Sequence, residues 1–275
     1  MKIFRYIVNF YLDSSIHVAF AAFALTWVSL ILCNLSYNEG LLFFIFFSTI
    51  TGYNFVKYFG AARFHHRRLA KGLRMIQLFS LTAFIAMCYY ALQLSTSSLL
   101  LLGVLGIITF LYAIPMVPIK YILDDQKKLR EISGLKIYVI AIVWTFTTVV
   151  LPLVENKITI HINVVLLAVQ RFCFVIVLML PFEIRDLNYD EVRLATIPQK
   201  IGLKYTKMVG VFLLGLIFLL EFFKDECASI LILSVVLILT LLFLVLSNKN
   251  QSKYYSAFWV ESLPILWLVI LLMFY

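Results

Sequence analysis

Charge is what this chain has least of. Asp, Glu, Lys and Arg make up 13% of its 275 residues, about half the share of an ordinary soluble domain. Hydrophobic residues make up 63%, which excludes a conventional soluble core and leaves no stretch for a soluble domain. Organised cysteine is missing too. Cys33, Cys88, Cys173 and Cys227 stand one each along apolar runs, without a CxxC or any paired spacing, and read as packing residues. The histidines offer no helical metal pair, because His65 and His66 are adjacent rather than four apart. A net charge of +9 suggests nucleic acid at first sight. Its distribution points elsewhere, and no nucleic-acid partner is expected.

Long apolar runs are there in number. A run of about 18 or more residues reads as a spanning helix, since about 20 residues at 1.5 Å each cross the hydrocarbon core. Nine are expected: Ile16 to Leu35, Leu41 to Phe59, Met75 to Leu92, Ser98 to Pro118, Leu135 to Val154, Ile162 to Phe182, Met208 to Phe223, Ala228 to Ser247 and Ala257 to Tyr275. The first follows Lys2 and Arg5, as a signal peptide would, but it is too long for an h-region and lacks a convincing cleavage site. The expected fold is all-α, one integral-membrane domain over residues 1–275, with nine transmembrane helices around a central cavity open to the cytoplasmic side.

The cations sort by loop. Nineteen of the 23 Lys and Arg fall in the N-terminal segment and in the loops after spans two, four, six and eight; only Lys157 and Lys224 fall on the other side, and Lys57 and Arg171 lie inside spans. By the positive-inside rule the N-terminus is cytoplasmic and the C-terminus outside, in a cell inner (cytoplasmic) membrane. The outer connections are short and three of the inner ones long, and long connections commonly carry function.

One inner stretch stands out: Pro181 to Gly202, PFEIRDLNYDEVRLATIPQKIG. On a helix Glu183, Asp186 and Asp190 fall within roughly 60° of one another, so three carboxylates share a face. Like charges on one stripe repel, and a hard divalent cation between them is the natural remedy. Magnesium binds well where one or two carboxylates share it with phosphate oxygens, so this pattern reads as a diphosphate and Mg²⁺ site. The blander reading is a solvated acidic loop answered by Arg185 and Arg193. Arg171, about three turns before Glu183, lies well inside the sixth span and is expected to face the bundle interior. It reads equally as a group at the bottom of a cavity that orients substrate or pairs with an acidic residue such as Glu221, and as a structural ion pair or snorkelling side chain.

The same stretch resembles the second aspartate-rich motif of the UbiA superfamily of intramembrane prenyltransferases, which runs close to DxRDxxxDxxxGxxTLPxxxG. The match includes Arg185, Asp186, Asp190, Thr196, Pro198 and Gly202, with Glu183 where Asp or Asn is common. Tyr112 to Lys120, YAIPMVPIK, resembles the end of that family's fourth span, and Gly134, Leu135, Lys136 and Trp144 the opening of its fifth. The family's first motif, close to NxxxDxxxD after span two, is met here by Asn54, Tyr58 and Ala62, so both aspartates are absent.

The resemblance implies Mg²⁺-dependent transfer of a prenyl group from an isoprenoid diphosphate to a hydrophobic, membrane-soluble acceptor. Asp186 and Asp190, with Glu183, are the expected metal ligands, and Asn54 the expected polar group from span two. A prenyl diphosphate carries about three negative charges that must be neutralised before its C1 to oxygen bond ionises. With the first motif degenerate, Lys57, Arg63, Arg67, Lys120 and Arg185 are expected to contact the diphosphate directly, and Tyr58 to line the cavity with Arg171. The alternative is a non-catalytic protein of the same fold that binds a lipid or a partner.

Overall fold

The computed structural model describes residues 2–64, 71–113, 135–187, 196–225 and 230–274. Asp190, Arg67 and Lys120 lie outside them, and Arg63 is described only as a backbone position in the last turn of a helix. All regular structure among the described residues is helical: α1 (Lys2–Asp13), α2 (Ile16–Leu32), α3 (Glu39–Phe64), α4 (Lys71–Ala91), α5 (Thr96–Ala113), α6 (Leu135–Thr145), α7 (Leu151–Glu155), α8 (Ile162–Asp186), α9 (Ile197–Glu221), α10 (Ile230–Leu246) and α11 (Leu263–Phe274). A π turn at Phe146–Val150 joins α6 to α7, and another at Tyr255–Val260 leads towards α11.

Helix ends follow from local chemistry. Asn38 accepts the N–H of Leu41 at the start of α3 (3.0 Å). At the end of α2, Asn34 takes φ 53° while the Leu35 and Asn34 N–H groups donate to the carbonyls of Leu30 and Ile31, a Schellman closure in which Asn tolerates the left-handed region. Lys157 closes α7 in the same way, at φ 54°.

Among the described residues six helices are long and apolar enough to cross a membrane, and a seventh span arises if α1 and α2, bent by 56°, count as one. Two shorter apolar helices, Thr96–Leu111 and Ile230–Leu246, fall on the expected fourth and eighth spans. At 1.5 Å per residue, 17 residues reach about 25 Å, just short of the hydrocarbon thickness. Both expected runs continue into residues outside the described set. The protein is an integral membrane protein.

The first fifteen residues read in sequence as a charged flank, whereas Lys2–Asp13 is a helix that exposes Phe4, Tyr6 and Ile7. The seventh span was expected from Met208, but α9 begins at Ile197, so Lys200, Lys204 and Lys207 stand on a helix rather than in a loop. That early start rests on the motif residues. Thr196 precedes the helix with its N–H bonded to Gln199 Oε1 (2.9 Å), and Pro198 occupies the first turn, where its missing N–H costs nothing. Gly202 then breaks the helix at φ 78°, ψ 166°, a conformation open to glycine and strained for other residues.

The core centres on α8, of whose apolar window 67% is buried, against 11% for α4. Phe174, Val177 and Leu180 on α8 meet Leu25 and Val28 of α2, Ile137 and Ala141 of α6, Leu214 and Ile217 of α9, Leu244 of α10 and Trp267 and Leu271 of α11. Gly210 allows the close approach of α9, since a Cβ there would run into the side chains of Leu244 and Leu180. Large apolar side chains such as Phe212, Leu231 and Phe274 cover the outside, as a lipid solvent requires.

Candidate functional site

Three expected site residues, Asn54, Lys57 and Tyr58, lie at i, i+3 and i+4 on α3 and so share a face. That face holds the elbow between α1 and α2, where Ser15 adopts φ 63°. Asn54 Nδ2 donates to the Ser14 carbonyl (3.0 Å) and to Ser80 Oγ of α4 (2.8 Å), while its Oδ1 accepts from Ser15 Oγ (2.8 Å). Lys57 Nζ and Tyr58 Oη both donate to the Asp13 carbonyl, at 3.0 and 2.8 Å. The bend leaves backbone groups without helical partners, and buried backbone groups need partners; polar residues on an apolar span supply them. Asn54, 3% exposed, is fully engaged by protein.

At the end of α8 the acidic residues part company. Glu183, 3% exposed, accepts the N–H of Ile197 (3.2 Å) and so ties the end of α8 to the start of α9. A carboxylate at a helix N-terminus meets both free N–H groups and the positive end of the dipole. Asp186 is more open and is held in a bidentate grip by its neighbour: Arg185 Nε to Oδ1 at 2.7 Å and Nη2 to Oδ2 at 3.1 Å. Arg185 Nη1 also donates to Ser256 Oγ (2.9 Å), and its guanidinium lies over the Phe182 ring. Among the described residues no three His, Cys, Asp or Glu side chains come together to hold a metal. Asp186 nevertheless offers an accessible carboxylate of the type that shares Mg²⁺ with phosphate oxygens.

The third wall is the π turn before α11, a feature that reading for spans did not find. His17 is stacked on Phe258 and bonded through Nε2 to the Phe258 carbonyl (2.9 Å). A carbonyl can only accept, so Nε2 carries the proton and Nδ1 receives the Tyr11 hydroxyl at 2.9 Å. Ser262 Oγ donates to the same carbonyl (2.6 Å), and Tyr254 Oη reaches Asn9 Oδ1 of α1 (2.6 Å). Glu261 follows this turn, with Lys57, Arg185 and the phenols of Tyr11 and Tyr53 within electrostatic reach. Its signal was in the sequence all along, as the only carboxylate of the ninth apolar run, where an ionisable residue marks function by default.

Arg171 sits deep in the bundle at 1% exposure, as expected of an interior group. Its Nη2 donates to Ser29 Oγ (3.0 Å) and its guanidinium lies over Trp267, while Nε and Nη1 have no hydrogen-bond partner among the described residues. One of the alternatives for Arg171, a pair with Glu221, is not formed: Glu221 accepts from Lys224 Nζ (2.7 Å) and Gln170 Nε2 (2.9 Å).

Fold and site together define a polytopic, all-helical membrane protein with Lys57 of α3 held at the α1–α2 elbow and Arg185 and Asp186 of α8 fastened to the π turn before α11. No protein-family profile matches the sequence, and no curated protein matches it. In three dimensions the chain is similar to the apo structure of a UbiA homolog from Aeropyrum pernix K1, with a TM-score of 0.63 and 14% identity, covering 94% of this chain and 98% of that one. The chain shares the fold of that protein.

Proposed function

We propose that this protein is an intramembrane prenyltransferase: it transfers an isoprenoid group from a prenyl diphosphate to a hydrophobic acceptor dissolved in the bilayer, with Mg²⁺ on the donor's diphosphate. The observation that carries the reading is the likeness in fold to a UbiA homolog over nearly the whole chain, supported by Arg185 and Asp186 at the end of α8. Asp186 with Asp190 would hold the cation, which supplies charge neutralisation to the departing diphosphate. Lys57 and Arg185, joined by Arg63, Arg67 and Lys120, would meet the remaining negative charge directly, in place of the two aspartates absent at Tyr58 and Ala62. The C1 to oxygen bond breaks with its electron pair left on diphosphate. The acceptor's nucleophilic atom then bonds to C1 and loses its proton. Nine spans around a cavity open to the cytoplasm, N-terminus inside, complete the proposed arrangement.

A second reading has a specific observation behind it. Asn54, Lys57 and Tyr58, which occupy the first-motif face, are engaged in holding the α1–α2 elbow. A protein that kept this fold to bind a lipid or a partner would tolerate that engagement. The two readings separate on Mg²⁺-dependent binding of a non-hydrolysable prenyl diphosphate analogue to the purified protein. The enzyme reading expects binding that needs the metal and is lost in Asp186→Asn/Asp190→Asn. Metal-independent binding, or binding indifferent to both substitutions, refutes it.

A further inference from the structure

The outer side of α9 carries an arrangement that the donor site does not use. Counted from Lys204, the residues at i+3, i+4, i+7 and i+8 are Lys207, Met208, Val211 and Phe212, so one stripe of the helix passes from two cations to three apolar side chains. An open recess of 440 Å³ runs along that stripe, lined by those five residues. Lys204, Met208, Val211 and Phe212 are exposed, whereas the core face of α9 runs through Thr206, Gly210, Leu214 and Ile217. One turn beyond Val211, Gly215 continues the stripe without a side chain, and a Cβ there would meet nothing within 4 Å.

The two cations are engaged differently. Lys207 Nζ donates to the Val245 carbonyl (2.7 Å) in the last turn of α10, where free carbonyls and the negative end of the helix dipole favour a cation. That bond ties α9 to α10 and fixes the charge of Lys207 beside the recess. Lys204, one turn earlier, makes no hydrogen bond or ion pair among the described residues. Its i+3 neighbour is a like charge, and α9 holds no carboxylate before Glu221. Two ammonium groups one turn apart repel, and an anion between them relieves the repulsion. The stripe from Lys204 to Gly215 is about 17 Å long at 1.5 Å per residue. One leaflet's hydrocarbon is about 15 Å deep, half of the 30 Å core.

We propose that this recess binds one anionic phospholipid, with its phosphate at Lys204 and Lys207 and an acyl chain laid along Met208, Val211, Phe212 and Gly215. Charge complementarity selects the occupant. A zwitterionic phospholipid brings a cation of its own towards two lysines, and a free phosphate leaves the apolar strip uncovered. An anionic phospholipid answers both ends of the stripe at once, as basic pockets beside spanning helices do for acidic headgroups. The headgroup lies just past the break at Gly202, so the bound lipid braces the resumed helix where Lys207 already joins it to α10. Nothing in this site requires a prenyl diphosphate.

The test titrates the purified full chain in neutral detergent with dioleoyl phosphatidylglycerol and, separately, with dioleoyl phosphatidylcholine, counting bound lipid by native mass spectrometry. The native chain should prefer phosphatidylglycerol about fivefold or more, the effect of one lysine beside an anionic headgroup. Lys204→Gln should lose about that factor, and Lys204→Arg should keep it. Val211→Trp, which fills the recess from an exposed position, should weaken binding with no change in charge. Arg5→Gln, which removes an exposed cation from α1, should leave binding as it is. Equal affinity of the native chain for the two lipids overturns the proposal. So does an equal loss in Lys204→Gln and Arg5→Gln, because diffuse attraction ignores position. Inorganic phosphate that displaces phosphatidylglycerol at equal concentration overturns it as well, since the acyl chain would then contribute nothing.

Discussion

Asn54 separates a structural role from a chemical one most sharply. It was expected to be a catalytic polar group, yet its amide bridges the elbow and α4 through bonds of 3.0, 2.8 and 2.8 Å at 3% exposure. Asn54→Ala removes all three and leaves the buried Ser14 carbonyl short of a donor. At about 1 kcal/mol for each net hydrogen bond, with a further penalty for the stranded acceptor, the loss should be about 3 to 4 kcal/mol. Asn54→Asp keeps the acceptor for Ser15 but loses both donors and adds a charge, so it should be at least as harmful. The assay is reversible unfolding in mixed micelles, with prenyl diphosphate binding measured on whatever remains folded. An Asn54→Ala protein that unfolds like the native one, yet fails to bind or turn over the donor, would refute the elbow argument and return Asn54 to the reacting centre.

Two further outcomes are expected. Gly202→Ala places an L residue at φ 78°, ψ 166°; no atom lies within 4 Å of the new Cβ, so the cost is conformational alone, about 1 to 3 kcal/mol. Unfolding in mixed micelles measures it, and a neutral result would mean the helix re-forms through position 202. Arg171→Met gives up one bond to Ser29 and a contact with Trp267 but removes a buried charge with two unpartnered N–H edges. Stability should hold or rise by up to about 2 kcal/mol. A loss beyond about 2 kcal/mol would reveal a counter-charge for Arg171.

How much of this was legible can be judged element by element. The apolar runs foretold α3, α4, α6 with α7, α8 and α11 closely, because an 18-residue run without charge has few destinations other than lipid. The resemblance in Arg185, Asp186, Thr196, Pro198 and Gly202 anticipated a fold that 14% identity leaves faint in sequence. Those residues proved to have distinct local jobs: a gripped carboxylate, a helix start, a first-turn proline and a break. The elbow was not legible, because its left-handed residue is Ser15 rather than Gly or Asn and its fastening residues lie about forty positions away. The π turn at Tyr255–Val260 was invisible for another reason. It inserts a residue without altering composition, so hydropathy alone cannot register it. Glu261 carries little signal for a related reason: a lone carboxylate within a span has no motif to belong to. The acidic stripe was read as one face, but Glu183 and Asp186 answer to different partners, α9 and Arg185, because the helix that ends between them and Asp190 meets another helix start there.

The elbow also has a consequence in time. The Tyr11–His17 bond ties α1 to α2 from within, but the groups that satisfy the bend itself come from later in the chain: Asn54, Lys57 and Tyr58 of α3, then Ser80 of α4. During synthesis α1 and α2 emerge first, held by that one side-chain bond, until about forty more residues have followed. The angle between the first two helices is therefore secured only when the third and fourth arrive, and the N-terminal quarter of the protein sets as a unit rather than helix by helix.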